Sequence, residues 1–167
     1  MYYYTYPYWP QLQYTTSYAP TNVERSIDLN RAMGIQEKVL DALIEGMEGE
    51  SEAIDFYTRL SAMAPNNEAK EAVIHALEDE KRHLDSFMNL YKRLAGNNPS
   101  YKKRRKRFST FKEGIKLAYQ DELEAYEKYR DDYLLTSDAS VRDVFFLAMT
   151  DEIEHATRFA FVYQNLV

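Results

Sequence analysis

A chain of 167 residues with a net charge of −6 suits one domain with a single core, and its acidity argues against general nucleic-acid binding. The absence of cysteine excludes a disulfide framework, an iron–sulfur cluster and a thiolate zinc site. No run of 18 apolar residues occurs, so no transmembrane helix and no membrane partner are expected; the start of the chain also lacks the basic and apolar regions of a signal peptide, which makes the cytoplasm the expected location.

Residues 1–21 stand apart. They hold Tyr2, Tyr3, Tyr4, Tyr6, Tyr8, Tyr14, Tyr18 and Trp9, and no charge precedes Glu24. Without helical or strand periodicity, this is a low-complexity segment. It reads either as an arm, loose or laid along the domain, or as an adhesive, oxidatively cross-linkable segment. Its composition is similar to tails of some spore-coat proteins.

Residues 22–167 read as helical. A short helix over about 22–33 is expected to end near Gly34. Four long helices follow. The first spans about 36–63 and stops before Pro65. Asn66 or Asn67 caps the second, which runs to about 94 and stops at Ala95-Gly96-Asn97-Asn98-Pro99. Ser109 caps the third, to about 135, and Ser137 caps the fourth, which runs close to Val167. At roughly 27–30 residues each, the helices are about 40–45 Å long. Short turns make the first and second, and the third and fourth, antiparallel neighbours, while the longer connection over 95–108 carries the chain across. The expected fold is all-α: an antiparallel four-helix bundle built from two helical hairpins joined by a crossover.

An internal repeat offset by 72 residues is the strongest signal. It relates Glu50 to Glu122, Glu52 to Glu124, Ala53 to Ala125 and Tyr57 to Tyr129. It also relates Asp79 to Asp151, Glu80 to Glu152, His83 to His155, Phe87 to Phe159 and Tyr91 to Tyr163. In Glu80-x-x-His83 and Glu152-x-x-His155 a carboxylate and an imidazole share one helix face. Glu50 and Glu122 each lie 30 residues before the glutamate of the matching motif, which sets both at similar height in a tight hairpin. Pairing the hairpins about a pseudo-twofold axis brings Glu50, Glu80, His83, Glu122, Glu152 and His155 into one layer. That is the di-metal carboxylate pattern of helix bundles. Four buried carboxylates cost several kcal/mol each if uncompensated, whereas two divalent ions neutralise them. Oxygen and imidazole donors without sulfur suit iron, manganese or zinc. Because the imidazoles must be neutral to bind, metal loss is expected as pH falls through about 5–6.

Other residues carry two readings. Tyr57 and Tyr129, two turns after Glu50 and Glu122, either hydrogen-bond ligand carboxylates of the facing hairpin or relay electrons, or are ordinary core aromatics. Asp79 and Asp151 are partners for histidine N–H groups across the bundle, or are solvated. Phe87, Phe159, Leu94 and Leu166 read as core. His75, whose repeat position holds Leu147, reads as structural or surface. The run Lys102-Lys103-Arg104-Arg105-Lys106-Arg107 is a solvated linker, or a non-specific contact for polyanions or an acidic redox partner, with no aromatic interleaving for sequence-specific nucleic-acid recognition.

Gly49-Glu50-Ser51-Glu52-Ala53 through Tyr57, followed by Glu80-Lys81-Arg82-His83, resembles the first helix pair of the rubrerythrin branch of the ferritin-like superfamily. Glu122 to Tyr129 and Glu152-Ile153-Glu154-His155 resemble the second pair. The resemblance covers about residues 36–166. It implies that Glu80 and Glu152 bridge two ions, with Glu50, His83, Glu122 and His155 as terminal ligands. It also implies peroxidase or ferroxidase chemistry at a di-iron centre acting on peroxide or dioxygen. Two departures stand out: rubrerythrins usually carry a four-cysteine rubredoxin domain, and they tend to have a further glutamate where this chain has Ala125. Asp121 and Glu124 offer an alternative alignment of the third helix; Glu122 preserves the repeat. Electrons would then come from a separate donor protein. The missing fifth helix of cage ferritins makes a storage shell less expected than a homodimer. Manganese catalase-like peroxide dismutation, and a non-enzymatic coat-type protein stapled by its metals, are the alternative readings.

Overall fold

A computed structural model describes residues 22–166; the tyrosine-rich segment 1–21 lies outside the described residues. Four helices make up the fold: α1 (Asn22–Ser61), α2 (Asn67–Ala95), α3 (Phe111–Tyr133) and α4 (Ala139–Gln164), with no strand among the described residues. None of them is long and apolar enough to cross a membrane.

The expected break at Gly34 is absent, and α1 is one helix of 40 residues. An isolated glycine costs a helix only about 1 kcal/mol, and a glycine stop needs a left-handed backbone. Gly34 does not adopt it; among the described glycines only Gly96 does, with φ of 73°. Gly96 ends α2, its N–H donating to the Lys92 carbonyl at 2.9 Å. At the start of α2, Asn66 is the cap, its Oδ1 accepting from the Ala69 N–H at 2.9 Å. The caps of α3 and α4 sit one residue later than expected. Thr110 Oγ1 accepts from the Glu113 N–H (3.1 Å) while Glu113 Oε2 accepts from the Ser109 N–H (2.8 Å), a reciprocal box that Ser109 as cap could not close. Asp138 Oδ1 accepts from the Ser140 N–H at 2.8 Å, and a carboxylate suits the positive end of a helix better than Ser137.

Each hairpin is antiparallel, and so is each pairing between hairpins: Tyr57 meets Glu122 while Tyr129 meets Glu50, and His83 meets Asp151 while His155 meets Asp79. This is the pseudo-twofold arrangement of the repeat. Two apolar layers bracket the centre. One holds Phe56, Leu60, Val73, Ile115 and Phe159; the other holds Leu43, Met47, Phe87, Leu90 and Phe145. Leu94 and Leu166 are only partly buried, because they fall near the ends of the bundle. Close packing sets the depth of the layers: a Cβ on Gly46 would come within 2.8 Å of the fully buried Phe87 ring.

The crossover does not run free. Arg104 pairs with Glu48 (2.9 Å), Arg105 with Asp55 (3.8 Å) and Lys106 with Asp121 (2.5 Å), while Arg59 donates to the Lys106 carbonyl at 2.8 Å. The middle cations of the basic run are therefore turned onto acids of α1 and α3.

Candidate metal centre

Between the two apolar layers lies a polar one. Glu50, Glu80, His83, Glu122, Glu152 and His155 are all buried, at 5% exposure or less. Helical periodicity alone turns Glu80 and His83, and Glu152 and His155, to the interior of α2 and α4. Packing then closes two sets of donor atoms. Glu50, Glu80, His83 and Glu152 form one, and Glu80, Glu122, Glu152 and His155 the other, each with its atoms within 4.8 Å of one another. Glu80 and Glu152 belong to both.

The imidazoles face this layer through Nδ1. His83 Nδ1 lies 3.1 Å from Glu80 and 3.4 Å from Glu152; His155 Nδ1 lies 3.2 Å from Glu152 and 3.4 Å from Glu80. Their Nε2 atoms point outward, to Asp151 from His83 and to Asp79 from His155, both at 3.0 Å. An aspartate that accepts the Nε2 proton leaves the Nδ1 lone pair for a cation, the tautomer a histidine ligand needs. Tyr57 Oη donates to Glu122 Oε1, and Tyr129 Oη to Glu50 Oε1, each across to the other hairpin.

The electrostatics of the layer ask for cations. Burial, then the charges of Glu80 and Glu152, push Glu50 well above the usual carboxyl range; burial, then Glu152 and Glu80, do the same to Glu122. Glu80 goes the other way: burial opposes its charge, but hydrogen bonds from both imidazoles outweigh burial and lower it. Burial also opposes a charged His83, yet its hydrogen bonds to Glu152 and Glu80 push it up to about 12; burial opposes a charged His155 too, and hydrogen bonds to Glu122, Glu152 and Glu80 raise it. Burial, then Glu122, raises Tyr57; burial, then Glu50, raises Tyr129. With protons as the only cations, the layer holds protons on imidazoles and carboxyls. Two divalent ions fit the donor set better, since +4 balances four carboxylates and frees both Nδ1 atoms.

A cavity of about 520 Å³ opens between α1 and α3 onto the four glutamates, Tyr57 and Tyr129. Gly49, Ala53 and Ala125 keep its walls low, and Arg104 and Lys106 of the crossover stand at its rim. Sequence reasoning did not find this cavity, because it depends on how far α1 and α3 stand apart. It also left His75 on the periphery. His75 Nε2 lies 3.2 Å from the buried Asp79, which meets Arg82 as well, so a half-exposed histidine borders the polar layer on one side only. The signal available was the i, i+4 spacing of His75 and Asp79.

Four antiparallel helices around a duplicated Glu and Glu-x-x-His set define a ferritin-like protein of the di-metal carboxylate class. Within it, residues 41–163 match the model of the Rubrerythrin family, and the chain belongs to that family. The uncharacterized protein YhjR of Bacillus subtilis strain 168 is 30% identical over 119 residues, or 71% of this chain and 82% of that protein. Among solved structures, a dodecameric thioferritin of Bacteroides fragilis aligns with a TM-score of 0.71 at 13% identity, over 84% of this chain and 94% of its own. A conserved hypothetical protein of Mycobacterium tuberculosis aligns at 0.70 and 19% identity (79% and 95%), and a ferritin-like diiron-carboxylate protein of Bacillus anthracis at 0.67 and 19% (77% and 97%).

Proposed function

We propose that this protein is a di-metal oxidoreductase acting on peroxide or dioxygen, a peroxidase or ferroxidase of the rubrerythrin kind. Glu50, Glu80, His83, Glu122, Glu152 and His155 would hold the two ions, and Glu80 and Glu152 stand in both donor sets. Iron is the first choice of metal, with manganese or zinc as alternatives. The observation that carries this reading is the pair of donor sets sharing two glutamates at the floor of an open cavity. A redox-active pair bound there supplies two electrons together to an O–O bond.

The chain's own residues prepare that chemistry. Asp79 and Asp151 hold the Nε2–H of His155 and His83 and so keep both Nδ1 atoms basic. Tyr57 and Tyr129 fix one oxygen of Glu122 and Glu50 and hold a proton at each Oη beside the cavity. The apolar layers above and below exclude water from the rest of the site. Reducing equivalents come from a separate donor protein.

The test is to load the protein with iron(II), add stoichiometric peroxide and follow the absorption of the oxidised pair. Oxidation faster than that of free iron is expected, together with a protein that elemental analysis finds iron-rich after native expression. Oxidation no faster than free iron would refute the proposal.

A further inference from the structure

The basic crossover is fastened at the edge of the cavity by a built support. Arg59 of α1 holds it. The guanidinium donates to Asp55 through Nε (3.0 Å) and Nη2 (2.8 Å), and to the Lys106 carbonyl at 2.8 Å. It also stands over the Phe108 ring at 4.9 Å, and Phe108 packs on Phe56 with ring centroids 4.7 Å apart. A Cβ on Gly114 of α3 would overlap Leu60 and crowd Phe108, so α1, α3 and the end of the crossover form one packed corner. Lys106 hangs from that corner. Its backbone is fixed to α1, while its Nζ donates to Asp121 of α3 at 2.5 Å.

A second cation crosses the same gap. Lys128 Nζ of α3 lies 3.3 Å from Glu45 of α1 and 2.8 Å from Asp132 of its own helix. Lys106, Asp121, Lys128 and Glu45 all line the cavity. They stand at its mouth: both lysine side chains are 34% exposed, Asp121 37% and Glu45 67%, whereas the four glutamates of the floor are buried. On the inner side of the gap, α1 and α3 are joined by the buried bonds of Tyr57 to Glu122 and Tyr129 to Glu50. On the outer side, ion pairs cross it instead. The other hairpin carries Gly49 and Phe56 at the positions matching Asp121 and Lys128, so the duplicated core does not require these charges.

The two kinds of link differ in strength. Breaking a buried Tyr–Glu bond strands polar groups away from water. A half-exposed ion pair shifts an equilibrium only about twofold to fivefold, and salt screens it. A lysine's flexible stem lets the ammonium swing into water with no helix moving. A weak outer closure over a firm inner one behaves as a gate, not as a strut.

We propose that Lys106 gates the cavity, with Lys128 as a second bar: the Lys106–Asp121 and Lys128–Glu45 pairs narrow the entrance between α1 and α3, pass small neutral molecules and must swing aside for bulky ones. The inference rests on the proposed function for what passes. In that reaction the two lysines are specificity-determining residues that favour peroxide or dioxygen over bulky organic oxidants.

The test uses metal-free, full-length protein, so its outcome does not depend on the oxidation of iron. The chain holds no cysteine, so one introduced thiol reports access. Ala53→Cys places it on the cavity wall, and Lys81→Cys, on the exposed side of α2, is the reference. Each thiol is reacted with N-ethylmaleimide and with the bulkier, also uncharged, pyrenylmaleimide. The ratio of bulky to small rates is expected to be about tenfold lower at the wall than at the reference, the combined effect of two such pairs. Lys106→Met and Asp121→Asn are each expected to raise the bulky reagent's rate at the wall about twofold to fivefold, as is about 0.5 M salt. The two variants change the local charge in opposite senses. A charge effect on the thiol would therefore drive their rates apart, whereas a lost ion pair raises both. Should Ala53→Cys fail to fold, Ala125→Cys on the facing wall replaces it. Equal ratios at wall and reference, opposite effects of Lys106→Met and Asp121→Asn, or no effect of either would each overturn the inference.

Discussion

Filling the polar layer with metal must expel protons, and the structure sets how many. In the metal-free protein His83 is pushed up to about 12, and hydrogen bonds to Glu122, Glu152 and Glu80 raise His155 as well, so both imidazoles are protonated at pH 7. The Nδ1 atoms that face the carboxylates must lose those protons to bind. Glu50 and Glu122 are held well above the usual carboxyl range and give up whatever protons they retain. Loading therefore releases about two protons from the imidazoles and up to about two more from the carboxyls. Each makes the binding constant rise about tenfold per pH unit, so the two imidazole protons alone make affinity for the ion pair climb about 10²-fold from pH 6 to 7. The stability of the metal-free fold moves the opposite way. The raised imidazole values stabilise the metal-free fold fully below their unfolded value of about 6.5, and this is lost as pH rises toward about 12. Raised Glu50 and Glu122 act in the same sense, since their protonated forms favour the fold and are lost with rising pH. The gap in melting temperature between loaded and metal-free protein should therefore widen as pH rises from about 6.5, the unfolded imidazole value, to about 8. Calorimetric titration of manganese(II), in two buffers of different ionisation enthalpy, counts the protons. Release of fewer than about one proton per chain, or an affinity flat across this range, would refute the reasoning.

Two further predictions concern ligand sharing and packing. Glu80 lies in both donor sets and Glu50 in one, so Glu80→Ala should lose most metal from both positions while Glu50→Ala retains about one ion per chain, as read by elemental analysis. Gly46→Ala should destabilise by about 1–3 kcal/mol in chemical denaturation, because the added carbon overlaps the immobile Phe87 ring. Gly34→Ala meets nothing within 4 Å and should stabilise by about 0.5–1 kcal/mol. Equal effects at the two glycines would contradict the packing described for α1 and α2.

Much of the centre was legible before any coordinates. Glu80 with His83, and Glu152 with His155, share a face through helical periodicity alone, and the 72-residue offset tied each pair to a glutamate at matching height. Asn66 was one of two caps read for α2, because capping is a local hydrogen bond; the structure chose it over Asn67. The Gly34 break was misread for a physical reason: the cost of one glycine is small beside the cooperativity of a 40-residue helix. Thr110 and Asp138 displaced neighbouring serines through side-chain geometry that residue type does not convey.

The sequence by itself determined two copies of a helical hairpin, each with its acid and imidazole on the inner face, because spacing along a helix fixes which side chains look the same way. Only the tertiary structure decided which groups meet across hairpins: Tyr57 with Glu122, Tyr129 with Glu50, each histidine with the other hairpin's aspartate, and the cavity between α1 and α3. Those distances follow from how closely the helices approach, at contacts such as Gly46 against Phe87, and packing between residues far apart in the chain is not a property of any local stretch of it.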